Sequence, residues 1–567
     1  MSDPLPTPVA PVSLVIKRDG RQVPFEADKI SRALFAAGEE LGRADAFLCR
    51  ELTDGVLHFI GQEFAGQMPT TSAIADLVVK VVREFGHPAL AQQFLTGKAP
   101  SPERTHQRTR TWGLKQVDWL ARRMSARLAT TVPNPKAALE DYLAAHFAMS
   151  QVYAPDLLAA QADGLIHFGG HRSVQRLTAT VVPHHSDPLD LVESMAAYRR
   201  ATGDALILEG PDRRLWSTGA REPTAFAPWC RAFHLGLGDQ GCRAIVNLHR
   251  QAGSGEFAEP FSGPLFAPSS ATPAYHELSQ CSLELCDELL KRDQARVRID
   301  WHLAEADFAD ENQGLLSALV QRATAGQPFC FVFDRPRRQP RLAEGISASH
   351  NAALLTVGLH LSQLARQMGQ PKSPERFLTK LVSLVRLALS AATQKRNALR
   401  RLKEDQPILA RGFFLEKARL VLAPIGLDAV VGDLLSEFCC SRNPAPLAFA
   451  CQILERIRAT VHEDGQALLL DACIDSPLID DAFASPLDDP ENLTDREHRA
   501  GVTIWDDEAP LLRQIAACGS LHDASRGGTA LIRYAPTTSV DELVQALRHA
   551  WYKTNLLALR FVTNVRA

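Results

Sequence analysis

The chain has 567 residues, with 62 Lys+Arg against 65 Asp+Glu for a net charge of −3, and is 46% hydrophobic and 22% charged. At about 100–200 residues per domain this length excludes a single small binding module, and the composition excludes collagen-like, low-complexity and mostly disordered chains. Near-neutral charge excludes wholesale coating of a polyanion or an acidic membrane.

In chain order, residues 1–11 are Pro-rich without apolar periodicity and read as a disordered lead. Ser13–Arg18 is a β-rich run, Asp19-Gly20 a hairpin signal, and Arg21–Phe25 the returning strand. Asp28 reads as the N-cap of a helix with Ile30, Leu34, Ala37 and Leu41 on one stripe and Gly42 as its stop. A second stripe runs through Phe47, Leu52, Val56 and Ile60. Thr70 or Thr71 caps a third helix that carries Ile74, Val78 and Val81 and is closed by Gly86, and Pro88 opens a fourth. Residues 12–98 thus form one compact α+β domain, a helix bundle with a small β-sheet, followed by a polar linker over 99–111.

Residues 112–567 read as one body. Helical patterns at 113–128, 137–149, 189–201, 312–324, 352–368, 374–402, 429–437, 446–462 and 540–552 alternate with β-rich runs at Ala205–Glu209, Ala244–Leu248, Arg296–Ile299, Phe329–Phe333, Ala530–Tyr534 and Leu559–Val562. Such alternation predicts an α/β domain with a central sheet or barrel. The eleven cysteines, scattered from Cys49 to Cys518, suit reduced thiols rather than a secreted disulfide framework. No apolar run reaches the roughly 18 residues of a membrane span, and no basic-then-apolar leader opens the chain, so a cytoplasmic protein away from membranes is expected.

The chemistry is concentrated near the start. Lys29 falls in the first turn of a helix, whose N-terminus prefers anions, so a cation there calls for a negative group beside it. A phosphate would serve, with Lys17 and Arg18 converging from the adjacent strand. The competing reading is that Asp28 neutralises Lys29 and Lys17-Arg18-Asp19-Gly20 is a solvated hairpin.

The segment Val15-Ile-Lys17-Arg18-Asp19-Gly20, Val23-Pro-Phe25, Lys29-Ile30, Met68-Pro-Thr-Thr71 and Ala91-Gln-Gln-Phe94 resembles the ATP-cone, the regulatory nucleotide-binding domain of many ribonucleotide reductases. The resemblance implies an ATP or dATP effector site in which Lys17, Arg18, Lys29 and Thr71 match the nucleotide-contacting positions. Glu26 stands where a polar contact residue does, and Val23 where an acidic one often does.

The body is similar to anaerobic (class III) ribonucleotide reductases at Phe147–Pro155, Gly164-Leu-Ile-His167, Phe329–Phe333, Gly358–Ala365, Ile425-Gly426-Leu427-Asp428 and Phe561–Asn564. This implies a ten-stranded α/β barrel of the glycyl-radical type. That chemistry needs a radical glycine near the C-terminus, a thiyl cysteine on a loop inside the barrel and a four-cysteine zinc site. The chain ends at Ala567 before the radical region, no thiol occurs near Arg337–Leu342 where the loop cysteine is expected, and Gly169–Thr178 also holds none. The expectation is a nucleotide-responsive regulator with no catalytic residue and no metal, acting as a homo-oligomer or with a partner subunit and without specific nucleic acid. The alternative is a nucleotide-metabolising enzyme that depends on a partner subunit.

Other motifs weigh less. Gly236-Leu-Gly238-Asp-Gln-Gly241 fits the dinucleotide pattern by letters but precedes a strand-like run where the mechanism needs a helix. His167, His171, His184 and His185 match no zinc spacing, and Cys439-Cys440 reads as buried apolar thiols. The basic stretches Leu114–Leu128 and Lys395–Lys403 read as solvated faces.

Overall fold

The computed structural model describes residues 14–64, 67–96, 152–169, 176–182, 185–219, 223–238, 242–250, 274–291, 296–336, 338, 341–347, 349–350, 352–369, 372–402, 415–477, 499–504, 506 and 509–563. The lead, the linker, the helical patterns at 113–128 and 137–149, and His171 and His184 lie outside these residues. The chain divides into two compact units.

The first unit pairs β1 (Leu14–Ile16) with β2 (Gln22–Pro24) as an antiparallel hairpin whose turn uses Gly20 at φ +80°. Four helices follow: α1 (Asp28–Glu40), α2 (Ala46–Glu63), α3 (Thr71–Glu84) and α4 (Pro88–Thr96). Leu34, Val56 and Val78 are fully buried, so the predicted stripes are the faces these helices turn inward. Gly42 and Gly86 take left-handed φ just past α1 and α3, and the N–H of the next residue reaches back to Gly38 O at 3.0 Å and to Val82 O at 3.1 Å. Thr70, not Thr71, caps α3, its hydroxyl accepting from Ala73 N at 3.1 Å. Asp28 is not a cap: Ala27 holds that position without a side-chain bond, and the Asp28 carboxylate is engaged elsewhere. Helix α5 (Pro155–Ala162), from the stretch assigned to the large body by sequence, packs on α1 and α2 through buried Leu157 and Ala160.

Among the described residues, the second unit is built on an eleven-stranded sheet. Its elements are β3 (Ile166–Gly169), β4 (Leu177–Val182), α6 (Pro188–Ala201), β5 (Thr202–Glu209), α7 (Pro211–Ser217), α8 (Pro223–Leu237), β6 (Arg243–Leu248), α9 (Tyr275–Leu290), β7 (Val297–Leu303), α10 (Gln313–Thr324) and β8 (Phe329–Phe333). Then come β9 (Arg341–Ala343), β10 (Ile346–Ser347), β11 (Ala352–His360), α11 (Leu361–Gln367), α12 (Pro374–Leu402), β12 (Arg419–Ile425), α13 (Leu427–Leu435), α14 (Ala445–Leu468) and β13 (Ala472–Ile474). The chain finishes with α15 (Leu511–Ser525), β14 (Ala530–Tyr534), α16 (Val540–Lys553) and β15 (Ala558–Thr563).

Strands β4 to β8 run parallel, as do β11 to β13 and the pair β14–β15, and the groups meet antiparallel at β4/β11 and β8/β15. The path β13-β12-β11-β4-β5-β6-β7-β8-β15-β14 therefore holds ten strands, with β3 added on β11. Its ends meet through side chains: Ser476 Oγ donates to Thr529 O at 3.1 Å, and Leu531 N donates to Thr503 Oγ1 at 2.9 Å. The antiparallel hairpin β9–β10 lies inside the ring so formed. Leu342, Ala343 and Ile346 pack against Ala179 and Val181 of β4, Ala205 and Ile207 of β5, Ile245 of β6, Ala353 of β11 and Val421 of β12.

One predicted helix is wrong. Residues 352–368 are strand β11 through His360 and helix only from Leu361, because a strand buried on both faces reads as a continuous apolar run that periodicity does not separate from a buried helix.

Candidate functional site

In the first unit, β1 leads directly into the predicted cations. Ile16 N donates to Pro69 O at 3.0 Å and Ile16 bridges Thr70 in parallel, so Lys17 and Thr71 follow side by side on adjacent backbones. Lys17 itself closes the turn, accepting from Gly20 N and donating to Arg21 O at 2.9 Å each. Lys29 lies one helical turn beyond Glu26 and donates to its Oε1 at 2.8 Å, both side chains about half exposed. Thus Glu26, not Asp28, is the anion beside Lys29. The structure brings the five sequence candidates together as two groups, Lys17, Arg18 and Thr71 at the hairpin's turn end and Glu26 with Lys29 at its other end, separated by roughly 10 Å of strand.

Asp28 instead binds Arg50 of α2, whose Nη1 and Nη2 both reach Oδ1 at 2.8 Å. Arg50 is buried, and Asp156 of α5 adds a second carboxylate whose pKa burial raises against the pull of Arg50. This knot joins α1, α2 and α5 one residue from Lys29. Sequence reading missed it because Arg50 sits among apolar residues with no pattern marking a buried cation.

In the second unit the hairpin inside the barrel turns at Glu344-Gly345, beyond the Arg337–Leu342 stretch where sequence placed the loop. Arg298 of β7 donates to Glu344 Oε1 through Nη1 and to Oε2 through Nη2, both at 2.8 Å, and chelates Asp300 at 2.7 and 2.9 Å. Gly345 N and Arg341 Nη2 both reach Asp475, at 3.0 and 2.8 Å, and Arg341 also donates to Thr529 Oγ1 at 2.6 Å and to Gly528 O. Burial pushes the Asp300 and Asp475 carboxyls up, and the guanidiniums of Arg298 and Arg341 pull them back. A short alternation, Arg341-Leu-Ala-Glu-Gly-Ile-Ser347, was the available signal for this hairpin.

The hairpin itself carries no cysteine, but two cysteines of the surrounding strands lie close to it. Cys330 of β8 sits beside Asp300, Arg298 and Glu344, and Cys473 of β13 points its Sγ toward Gly345 O at 4.0 Å. Burial pushes the Cys473 thiol up to about 12, so it is protonated at neutral pH.

The remaining candidates separate. Gly236 lies inside α8 and Gly238 turns its end at φ +60°, ahead of strand β6, the reverse of a dinucleotide fold's strand-to-helix order. His167 is buried on β3, while the backbone carbonyl of His185 accepts from Trp229 Nε1 at 2.9 Å. Cys439 and Cys440 are both buried. Among the described residues no group of three or more His, Cys, Asp and Glu is placed to hold a metal, and no helix is long and apolar enough to cross a membrane.

Comparison with known proteins defines the class: residues 13–96 match the ATP cone domain, and the chain carries that domain ahead of a large α/β barrel of the anaerobic ribonucleotide reductase fold. Among solved structures, the chain is similar to the anaerobic ribonucleotide reductase from Thermotoga maritima with citrate in the active site, at 11% identity and TM-score 0.55 over 79% of this chain and 94% of that one. The same enzyme with dATP bound in the specificity site matches at 10% identity and TM-score 0.53 over 95% and 92%. Its complex with dATP and CTP matches at 10% identity and TM-score 0.54 over 75% and 81%. No curated protein matches. At these identities the likeness to solved structures establishes the fold.

Proposed function

We propose that this chain is an adenine-nucleotide-responsive regulator, working in the cytoplasm, whose reductase-fold body performs no radical chemistry. Its cone, residues 12–98, binds ATP or dATP. Lys17, Arg18 and the first-turn N–H groups of α3 beside Thr71 take the phosphates. Lys29 exchanges its exposed partner Glu26 for the nucleotide. Binding shifts assembly, with a second copy or with a partner subunit, and a coupling of about 1–3 kcal/mol is typical of such switches.

The observation that carries the inactive reading is the hairpin turn. In the enzymes this body resembles the thiyl sits on the loop inside the barrel, whereas here the tip of that loop is Glu344-Gly345 and the carboxylate is clamped by Arg298. The purified chain, incubated anaerobically with the four ribonucleoside triphosphates and a thiol reductant, should form no deoxynucleotide, while calorimetry should detect ATP or dATP. Sustained turnover sinks the inactive reading, and silence in calorimetry sinks the effector reading.

A second reading rests on Cys473. Its thiol lies against the turn of the hairpin, so a partner-supplied radical has a sulfur within the barrel to use. Turnover that appears with a partner and disappears in Cys473→Ser installs this enzyme reading instead.

A further inference from the structure

We propose that the barrel unit carries a serine nucleophile, Ser349, activated by His350 and Asp471 for acyl transfer from small esters, an activity independent of the cone and of radical chemistry. The three residues lie where the hairpin inside the barrel returns to the sheet. Ser347 ends β10, Ser349 and His350 precede β11, and Asp471 immediately precedes β13. A cavity of about 340 Å3 beside the hairpin has Ser347 and Arg419 in its wall but none of these three.

The backbone fixes the arrangement. Ser347 N donates to His350 O at 3.1 Å and His350 N donates to Ser347 O at 3.2 Å, which holds the turn that carries Ser349. Asp471 O accepts from Leu420 N at 2.9 Å, and its Oδ2 accepts from Arg419 Nε at 2.7 Å. His350 Nε2 reaches the same Oδ2 at 2.8 Å, and Ser349 Oγ stands 2.9 Å from His350 Nδ1. Burial raises the Asp471 carboxyl, but His350 and Arg419 outweigh it and bring its pKa down to about 2. An anion on that side places the ring's proton on Nε2, which leaves the Nδ1 lone pair to accept from Ser349. Hydroxyl, imidazole and carboxylate thus stand in the order of a Ser-His-Asp triad, with the two ring nitrogens exchanged relative to the serine proteases. The chemistry needs one accepting and one donating nitrogen, and either order supplies them. Ser347 Oγ is buried and 3.5 Å from Nδ1, so Ser349 is the hydroxyl this base serves. The His350 and Asp471 side chains are 24% and 41% exposed, and Ser349 is half-buried, within reach of a short acyl group.

In the first step Ser349 Oγ bonds to the ester's carbonyl carbon while its proton passes to His350 Nδ1. The tetrahedral adduct collapses by breaking the bond to the alkoxide oxygen, which takes that proton and leaves as the alcohol. Water then adds to the acyl carbon and gives a proton to His350 Nδ1, and Ser349 Oγ departs and recovers it as the carboxylic acid is released. The Arg419 guanidinium, held on the triad's carboxylate, is the positive charge the cluster offers to the oxyanion. The N–H groups of Ser347 and His350 are already committed to each other's carbonyls, so the oxyanion gains little from them. Deacylation is therefore slow, and the acyl-serine accumulates.

The test mixes the full chain with p-nitrophenyl acetate, follows nitrophenolate release, and locates the acetyl group by mass spectrometry of peptides from an acid-quenched sample. Acetyl should accumulate on Ser349, with an initial release of nitrophenolate stoichiometric with the chain. Ser349→Ala should abolish that release, and His350→Gln should slow it by roughly 100-fold or more. Asp471→Asn should slow it by roughly 10-fold or more, because the ring then loses the anion that sets its tautomer. Ser347→Ala should leave it unchanged. Melting temperatures monitor folding, and the acetylated position in the parent chain decides the matter even if Asp471→Asn, which also strands Arg419, unfolds. Acetyl on lysines, on His350 or on Ser347 with Ser349 unmodified, or initial release that survives Ser349→Ala, overturns the proposal and leaves the three residues as a brace between the hairpin and β13.

Discussion

Arg298 meets Glu344 in a two-bond fork, 2.8 Å on each arm, inside the barrel. Asp300 shares the same guanidinium, so one cation serves two buried carboxylates. Removing Arg298 strands both. Arg298→Met should therefore cost about 3–5 kcal/mol in urea unfolding of the full chain, the scale of breaking a buried pair. Glu344→Gln leaves Arg298 paired with Asp300 and should cost less. Equal losses for the two would show that the carboxylates do not depend on the shared cation.

Gly345 fixes how deeply the hairpin enters. Its φ of +72° disfavours any side chain, and an added Cβ would stand 2.6 Å from Val421 Cγ2 and 3.0 Å from Cys473 Sγ. Strain and overpacking together predict that Gly345→Ala destabilises by about 2–4 kcal/mol. Gly20→Ala, also at positive φ but with nothing within 4 Å, isolates the backbone part and should cost about 1 kcal/mol. Parity between the two substitutions would mean the barrel interior is looser than its packing.

The local elements of the cone were legible because each helix there is amphipathic and bounded by Gly or Pro, and Leu34, Val56 and Val78 are buried as their stripes require. In the barrel, Phe329–Phe333 and Ala530–Tyr534 stood out as β-rich runs, whereas periodicity read the strand-to-helix junction at His360–Leu361 as one helix. What stayed hidden depends on contacts far apart in sequence. Glu344 with Arg298, Arg50 with Asp28, and Arg338 with Arg526 around Asp523 follow no spacing rule. Asp28 misled for a local reason: a carboxylate at a helix start is a good cap, but the buried Arg50 is a stronger claimant.

The Lys29–Glu26 pair separates binding from stability. Both side chains are half exposed, and exposed pairs are worth about 0–1 kcal/mol, so neither Lys29→Ala nor Glu26→Gln should move the melting temperature measurably. In titrations with ATP and dATP, Lys29→Ala should weaken binding by roughly 1.5–3 kcal/mol, the loss of a charge-assisted hydrogen bond. Glu26→Gln, which frees Lys29, should leave affinity intact or raise it. Unchanged affinity in Lys29→Ala removes Lys29 from the site.

His522 gives the barrel unit an acid limit. Its Nδ1 accepts from Leu557 N at 3.1 Å and its Nε2 faces Val502 O at 3.0 Å, an arrangement suited to the neutral ring with its proton on Nε2. Burial, with the positive charges of Arg341 and Arg338, lowers its pKa to about 3. The unfolded value is near 6.5, so above that pH both states are neutral and the full stability is present. As pH falls, the unfolded chain takes up a proton that the folded chain refuses, and stability drains until about pH 3. Between pH 6.5 and 5 the loss from this one group is on the order of 2 kcal/mol, at 1.36 kcal/mol per unit. Urea unfolding at pH 7 and pH 5 should reveal it, and His522→Gln, less stable at pH 7, should show a shallower decline. A parallel decline in the variant assigns the acid sensitivity to other groups.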